Sequence, residues 1–122
     1  MAIRDELQGL LDRMVAAYTT GDAAGCAALF TPDASLFSPY APPTHGRAAI
    51  EALHRDWVGH GGNKSIRIVQ SGGTGDWAWA LAHYSEGDVA GDGTSLIIFA
   101  RQPDGRWLCH MSSLNSVLPP LA

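Results

Sequence analysis

Cysteine is scarce in this chain, and so is positive charge. Only Cys26 and Cys109 occur, far apart and outside any C-x-x-C pair, which argues against a zinc or redox centre. Both thiols are expected to be small buried hydrophobes. The eight Lys and Arg are scattered at positions 4, 13, 47, 55, 64, 67, 101 and 106, and the net charge is −4. With no basic stripe to neutralise phosphates, nucleic acid is not an expected partner. No apolar run approaches the ~18 residues of a membrane span. The first residues carry Arg4, Asp5, Glu6 and Asp12 where a signal peptide would be apolar. The expectation is a cytoplasmic protein with no membrane partner, no metal and no cofactor. Internal repeats and low-complexity tracts are missing too.

What is present suits a globular domain. The 122 residues are 46% hydrophobic and 16% charged, enough to bury one core and one pocket. A single domain over 1–122 is expected, with its core at about 5–117 and a tail at 118–122. Ile3, Leu7, Leu10, Leu11, Met14 and Tyr18 fall on one helical stripe, predicting a first helix from Ile3 to Thr20 that stops at Gly21. Asp22 is placed to cap a second helix, Ala23 to Phe30. Thr31-Pro32-Asp33 reads as a turn into a strand at Ala34 to Ser38, and the three prolines of Pro39 to Thr44 read as a stiff loop. A third helix is expected from Arg47 to Val58, with Ile50, Leu53, His54 and Trp57 on one face. Four strands should follow: Ser65 to Ser71, Trp77 to Glu86, Thr94 to Gln102 and Arg106 to Val117. Gly-rich and Asp-Gly turns separate them. Helices followed by a strand meander is the α+β pattern.

Several local motifs recur in a characteristic order. Arg13 to Asp22 ends a helix at Gly-Asp, Leu29 to Phe37 turns into a strand, and His45-Gly-Arg-Ala-Ala-Ile50 opens a helix. Trp79-Ala-Leu-Ala-His-Tyr84 and Pro103-Asp-Gly-Arg-Trp107 complete the series. Together, over about residues 5–117, these resemble the nuclear transport factor 2-like superfamily, and within it the small SnoaL-like and ketosteroid-isomerase-like domains. The resemblance implies an α+β cone, with three N-terminal helices against a strongly curved antiparallel sheet and an apolar cavity inside. It also implies a homodimer formed through the exposed sheet face. Trp77 and Trp79 alternate with alanines there, which would let two sheets approach closely.

The ketosteroid isomerases of that superfamily use a tyrosine, a protonated aspartate and an aspartate base. Residue by residue, the resemblance puts Met14, Ile97 and Ser38 at those positions. None of the three can serve, so that activity is disfavoured. Limonene epoxide hydrolase chemistry fails as well, because no inward Asp-Arg-Asp set can be assembled.

His54 and His110 remain as candidate proton carriers. His54 shares the inner face of the third helix; it is either a pocket base or a core-edge histidine bonded to a backbone carbonyl. His110 begins an H-x-S pattern similar to that of several SnoaL-like members, and strand alternation groups it with Leu108, Ser112 and Leu114. A bulge would reverse that face. Met14, Tyr18, Phe37, Ser38, Tyr40, Leu53, Trp57 and His83 are the expected ligand-lining residues. His83 falls near a catalytic histidine of scytalone dehydratase, although the second such histidine would fall near Gln70. Tyr18 is equally a packing residue, and Tyr40 either gates the mouth or is exposed.

Three functions follow. The first is an acid-base enzyme of SnoaL-like type (isomerase, cyclase, dehydratase or hydrolase) acting on an apolar cyclic molecule. The second is a protein that binds such a molecule without turnover. The third is an association module whose function is the dimer.

Overall fold

The computed structural model describes residues 2–39, 41–58, 64–85 and 92–116. Three helices, α1 (Ile3–Thr19), α2 (Ala23–Ala27) and α3 (Arg47–Val58), lie against a six-stranded sheet. Its strands are β1 (Phe30–Ser38), β2 (Ala41–His45), β3 (Ser65–Thr74), β4 (Trp77–Ser85), β5 (Asp92–Arg101) and β6 (Trp107–Ser116). Their spatial order is β2-β1-β6-β5-β4-β3. No helix among the described residues is long and apolar enough to cross a membrane.

α1 forms where its apolar stripe predicts, burying Leu7, Leu10, Leu11, Met14 and Tyr18. Gly21 terminates the segment at φ 76°, a left-handed conformation that costs glycine nothing. The Asp22 carboxylate accepts from the Gly25 N–H at 2.9 Å and caps α2.

Several expectations need correction. α2 ends at Ala27, not Phe30, because Phe30 already pairs with Cys109 of β6. Thr31-Pro32-Asp33 is an irregularity within β1, not a turn before it. Between the pairs Phe30↔Cys109 and Ser35↔Met111 the register shifts, which accommodates a proline that has no N–H to donate. The expected proline loop contains β2, which pairs with β1 through Ser35↔His45 and Leu36↔Thr44. Pro42 and Pro43 are tolerated because β2 is an edge strand and both fall where its pairing with β1 is irregular, between Leu36↔Thr44 and Ser38↔Ala41. Finally, the sheet is mixed. β1 runs parallel to β6 while every other pair is antiparallel, and α3 follows two strands, so the helices are not all N-terminal.

The opposite edge, β3, is met by α1. The Gln8 side chain donates to Ile66 O and accepts from Ile68 N, both at 2.9 Å, and Arg4 donates to Ile68 O at 2.9 Å. A side-chain amide thus pairs with the strand as another strand would.

The two faces of the sheet differ sharply. Ala78, Ala80, Ala82 and Tyr84 of β4, Ile97 and Phe99 of β5, and Trp107 and Cys109 of β6 are buried. The alanines therefore face the core, where they make room for the helices, and do not space the tryptophans for a second sheet as expected. Trp77, Trp79, Leu96 and Met111 are exposed on the outer face, with Trp79, Ile98 and Met111 in register across three strands.

Candidate functional site

Between α1, α3 and the inner sheet face lies a cavity of about 40 Å³. Its apolar wall includes Leu11, Met14, Phe30, Leu36, Trp57 and Ile97. Its polar members are His54, Lys64, Tyr84, Ser95 and Ser112. No Asp or Glu lines it among the described residues.

His54 is the centre of this set. Helical spacing from Ile50 turns it inward, and it is only 4% exposed. Its Nδ1 lies 2.9 Å from the Ile50 carbonyl oxygen. A carbonyl can only accept, so Nδ1 carries the proton. The neutral ring then has its lone pair on Nε2, the nitrogen able to exchange a proton. Phe30 and Trp57 pack about the imidazole, with ring centroids 5.9 and 5.4 Å away. The backbone-bonded and the cavity-facing readings of this histidine are therefore compatible, since its two nitrogens serve different purposes.

Ser95 and Ser112 meet across β5 and β6, their hydroxyls 3.2 Å apart and buried. One O–H is used in that bond, and the pair keeps a second that can turn towards a ligand oxygen. Lys64 stands at the wall, its Nζ 4.4 Å from the centroid of the Tyr18 ring. The Tyr18 hydroxyl donates to Trp57 O at 3.2 Å, tying α1 to α3 beside the cavity.

The structure brings Met14, His54 and Trp57 to the cavity. Leu53 packs against the core without lining the space. Phe37 is half-buried beside His45, ring centroids 6.0 Å apart, and is paired with Ser113. Ser38 is half-buried at the end of β1, opposite Ala41, and Tyr40 lies outside the described residues. His83 is exposed, along a surface groove with Arg4, Asp5 and Gln8.

His110 lies away from the cavity. The register passes from Phe99↔Cys109 to Ile98↔Met111, leaving His110 as an extra residue in a bulge. This separates it from Ser112, with which simple alternation had grouped it. Its Nδ1 is hydrogen-bonded to Thr31 Oγ1 at 2.9 Å, with Asp33 Oδ1 3.8 Å away and the Trp77 ring 5.4 Å away.

Lys64, Tyr84 and Ser95 were not anticipated as lining residues. Tyr84 was legible, because it continues the small-residue alternation Ala78, Ala80, Ala82 onto the same face. The buried thiols are inert acids. Burial raises Cys26 to about 11, against a smaller lowering by Lys64, and burial raises Cys109 further.

Solved structures share this architecture. A ketosteroid isomerase-like protein from Erwinia carotovora atroseptica superposes with a TM-score of 0.78 at 16% identity, over 95% of this chain and 97% of that one. An NTF2-like protein from Novosphingobium aromaticivorans gives 0.77 at 22%, over 93% and 81%. A candidate dehydratase of the NTF2-like family from Streptomyces avermitilis gives 0.77 at 19%, over 94% and 96%. At these identities the likeness establishes the NTF2-like α+β fold and nothing finer. Among curated proteins, none matches by sequence. The family model of the SnoaL-like domain matches residues 11–110, most of the length, and the chain belongs to the SnoaL-like domain family.

Proposed function

We propose that this protein acts on a small, mainly apolar molecule in the inner cavity, with His54 as the proton carrier. The observation that carries the reading is the 2.9 Å contact of Nδ1 with Ile50 O, which makes Nε2 the basic nitrogen at a largely apolar wall. Such a base can take a proton from a carbon or hydroxyl group and return it, as isomerisation, cyclisation and dehydration require. The hydroxyls of Ser95, Ser112 and Tyr84 would then stabilise charge on a substrate oxygen. The name of the Streptomyces avermitilis relative points towards the same class of chemistry. His110 has no part in this scheme. Two free buried thiols suit a reducing compartment, so the reading is of a cytoplasmic protein.

A thermal-shift panel of small apolar compounds, cyclic and short-chain, neutral and acidic, against the wild type and His54→Ala tests it. A ligand at 100 times its dissociation constant adds ~2.7 kcal/mol of stability. Stabilisation of the wild type that is lost in His54→Ala supports the reading. Equal stabilisation of both leaves binding without a role for His54, and silence removes the cavity as the site.

A second reading concerns the partner. The outer face carries Trp77, Trp79, Leu96 and Met111, each at least 39% exposed, and an apolar patch of this kind suits a second copy of the chain. We propose a homodimer through it. A monomeric mass by light scattering at micromolar concentration contradicts this.

A further inference from the structure

We infer that the cavity's ligand is a compact organic anion, a carboxylate on a short apolar body, with its charged end at Lys64. The inference deepens the cavity reading above and rests on it.

Charge is the first argument. The molecule as a whole is acidic, with a net charge of −4, yet the polar groups lining this cavity are a lysine, a histidine and three hydroxyls. The lysine and the hydroxyls can donate hydrogen bonds, and no carboxylate among the described lining residues opposes them. Such a lining favours a ligand that supplies acceptors and negative charge. A chain of net charge −4 gives no general affinity for anions that would explain this lining.

Placement is the second. Lys64 Nζ sits 4.4 Å from the Tyr18 ring centroid, and that phenol is itself anchored to Trp57 O. The ammonium is thereby held against a ring tied to the backbone of Trp57, and Lys64 and Trp57 both line the cavity. An ammonium has three N–H donors, so it can hold a carboxylate oxygen while keeping other contacts.

Size is the third. A water needs roughly 10–15 Å³ of such space, so about 40 Å³ accommodates only a few heavy atoms without side-chain movement. A fused-ring molecule is disfavoured on those grounds, while a branched or short-chain acid suits the space after small adjustments of Met14 and Leu36.

NMR titration of the whole protein at constant ionic strength, with isobutyrate and its neutral isostere isobutyramide, tests the inference. Isobutyrate should perturb the His54 and Tyr84 resonances and bind about tenfold more tightly than the amide, the scale of a charge-assisted hydrogen bond. Lys64→Met should remove that preference and Lys64→Arg should keep it. If amide and acid bind equally well to the wild type, or Lys64→Met leaves the preference intact, the anion inference falls while the cavity reading stands. A two-ring acid, 2-naphthoate, binding as tightly as isobutyrate overturns the size argument. If no compound, charged or neutral, moves either resonance, both the inference and the reading beneath it fall.

Discussion

Tyr84 and Gly93 are register partners on β4 and β5, and the phenol of the one lies on the bare backbone of the other. A Cβ on Gly93 would stand 2.6 Å from the Tyr84 hydroxyl oxygen and closer still to the Asn115 carbonyl oxygen. Tyr84 is only 1% exposed and has little room to retreat. Gly93→Ala should therefore lose about 1–3 kcal/mol, the usual scale of overpacking. Urea unfolding measures it, and a variant as stable as the wild type would show that the ring moves freely.

The Ser95–Ser112 pair should behave as a unit. Ser95→Ala removes one partner of a buried hydrogen bond and leaves the Ser112 hydroxyl to be satisfied otherwise, a cost of about 1–2 kcal/mol. The double variant, Ser95→Ala with Ser112→Ala, should cost less than the sum of the single changes. Strict additivity in a double-mutant cycle would mean that the two hydroxyls do not depend on each other.

Gln8→Ala should loosen the junction between α1 and β3. Its amide makes two 2.9 Å bonds to the strand backbone, and one of them engages the Ile68 N–H. A loss of about 1–2 kcal/mol is expected. Faster hydrogen exchange at Ile68 should accompany it, with little change at residues near Phe99. Uniform acceleration would point to global destabilisation instead.

Stability should fall as the pH rises from about 9 towards 11. Burial raises the Cys26 thiol from its ordinary 9.0 to about 11. In that window the unfolded chain has lost the proton and the folded chain keeps it, so the contribution is intact below pH 9 and disappears as pH passes the folded value. Cys109, raised further by burial, extends the same trend upward. Denaturant midpoints across this range should drop less steeply in Cys26→Ala than in the wild type. Parallel slopes would remove Cys26 from the account.

Much of this was legible in the sequence, and each failure has a physical cause. Helical spacing alone put His54 on the inner face of α3, because the 3.6-residue period runs unbroken from Ile50. The strands are less forgiving, since a single inserted residue reverses a face. That is what happened at His110, where a bulge in β6 moved the side chain out to Thr31. β2 was hidden because Pro42 and Pro43 usually mark a loop, and only the strand's place at the edge makes them acceptable. The parallel pairing of β1 with β6 joins segments far apart in the sequence, and no local pattern encodes it. Lys64 had no signal either. It stands immediately before β3 and belongs to no periodic element.

The two borders of the sheet carry a further consequence. A strand arriving from another molecule at β2 would meet Pro42 and Pro43, which have no N–H to offer. At β3 it would find the hydrogen-bonding groups of Ile66 and Ile68 already engaged by Gln8 and Arg4. Lateral recruitment, the route by which sheets extend into filaments, is thus obstructed at both ends. The molecule can leave a broad apolar face open to water while resisting open-ended polymerisation, so whatever it joins, the assembly should stay small and countable.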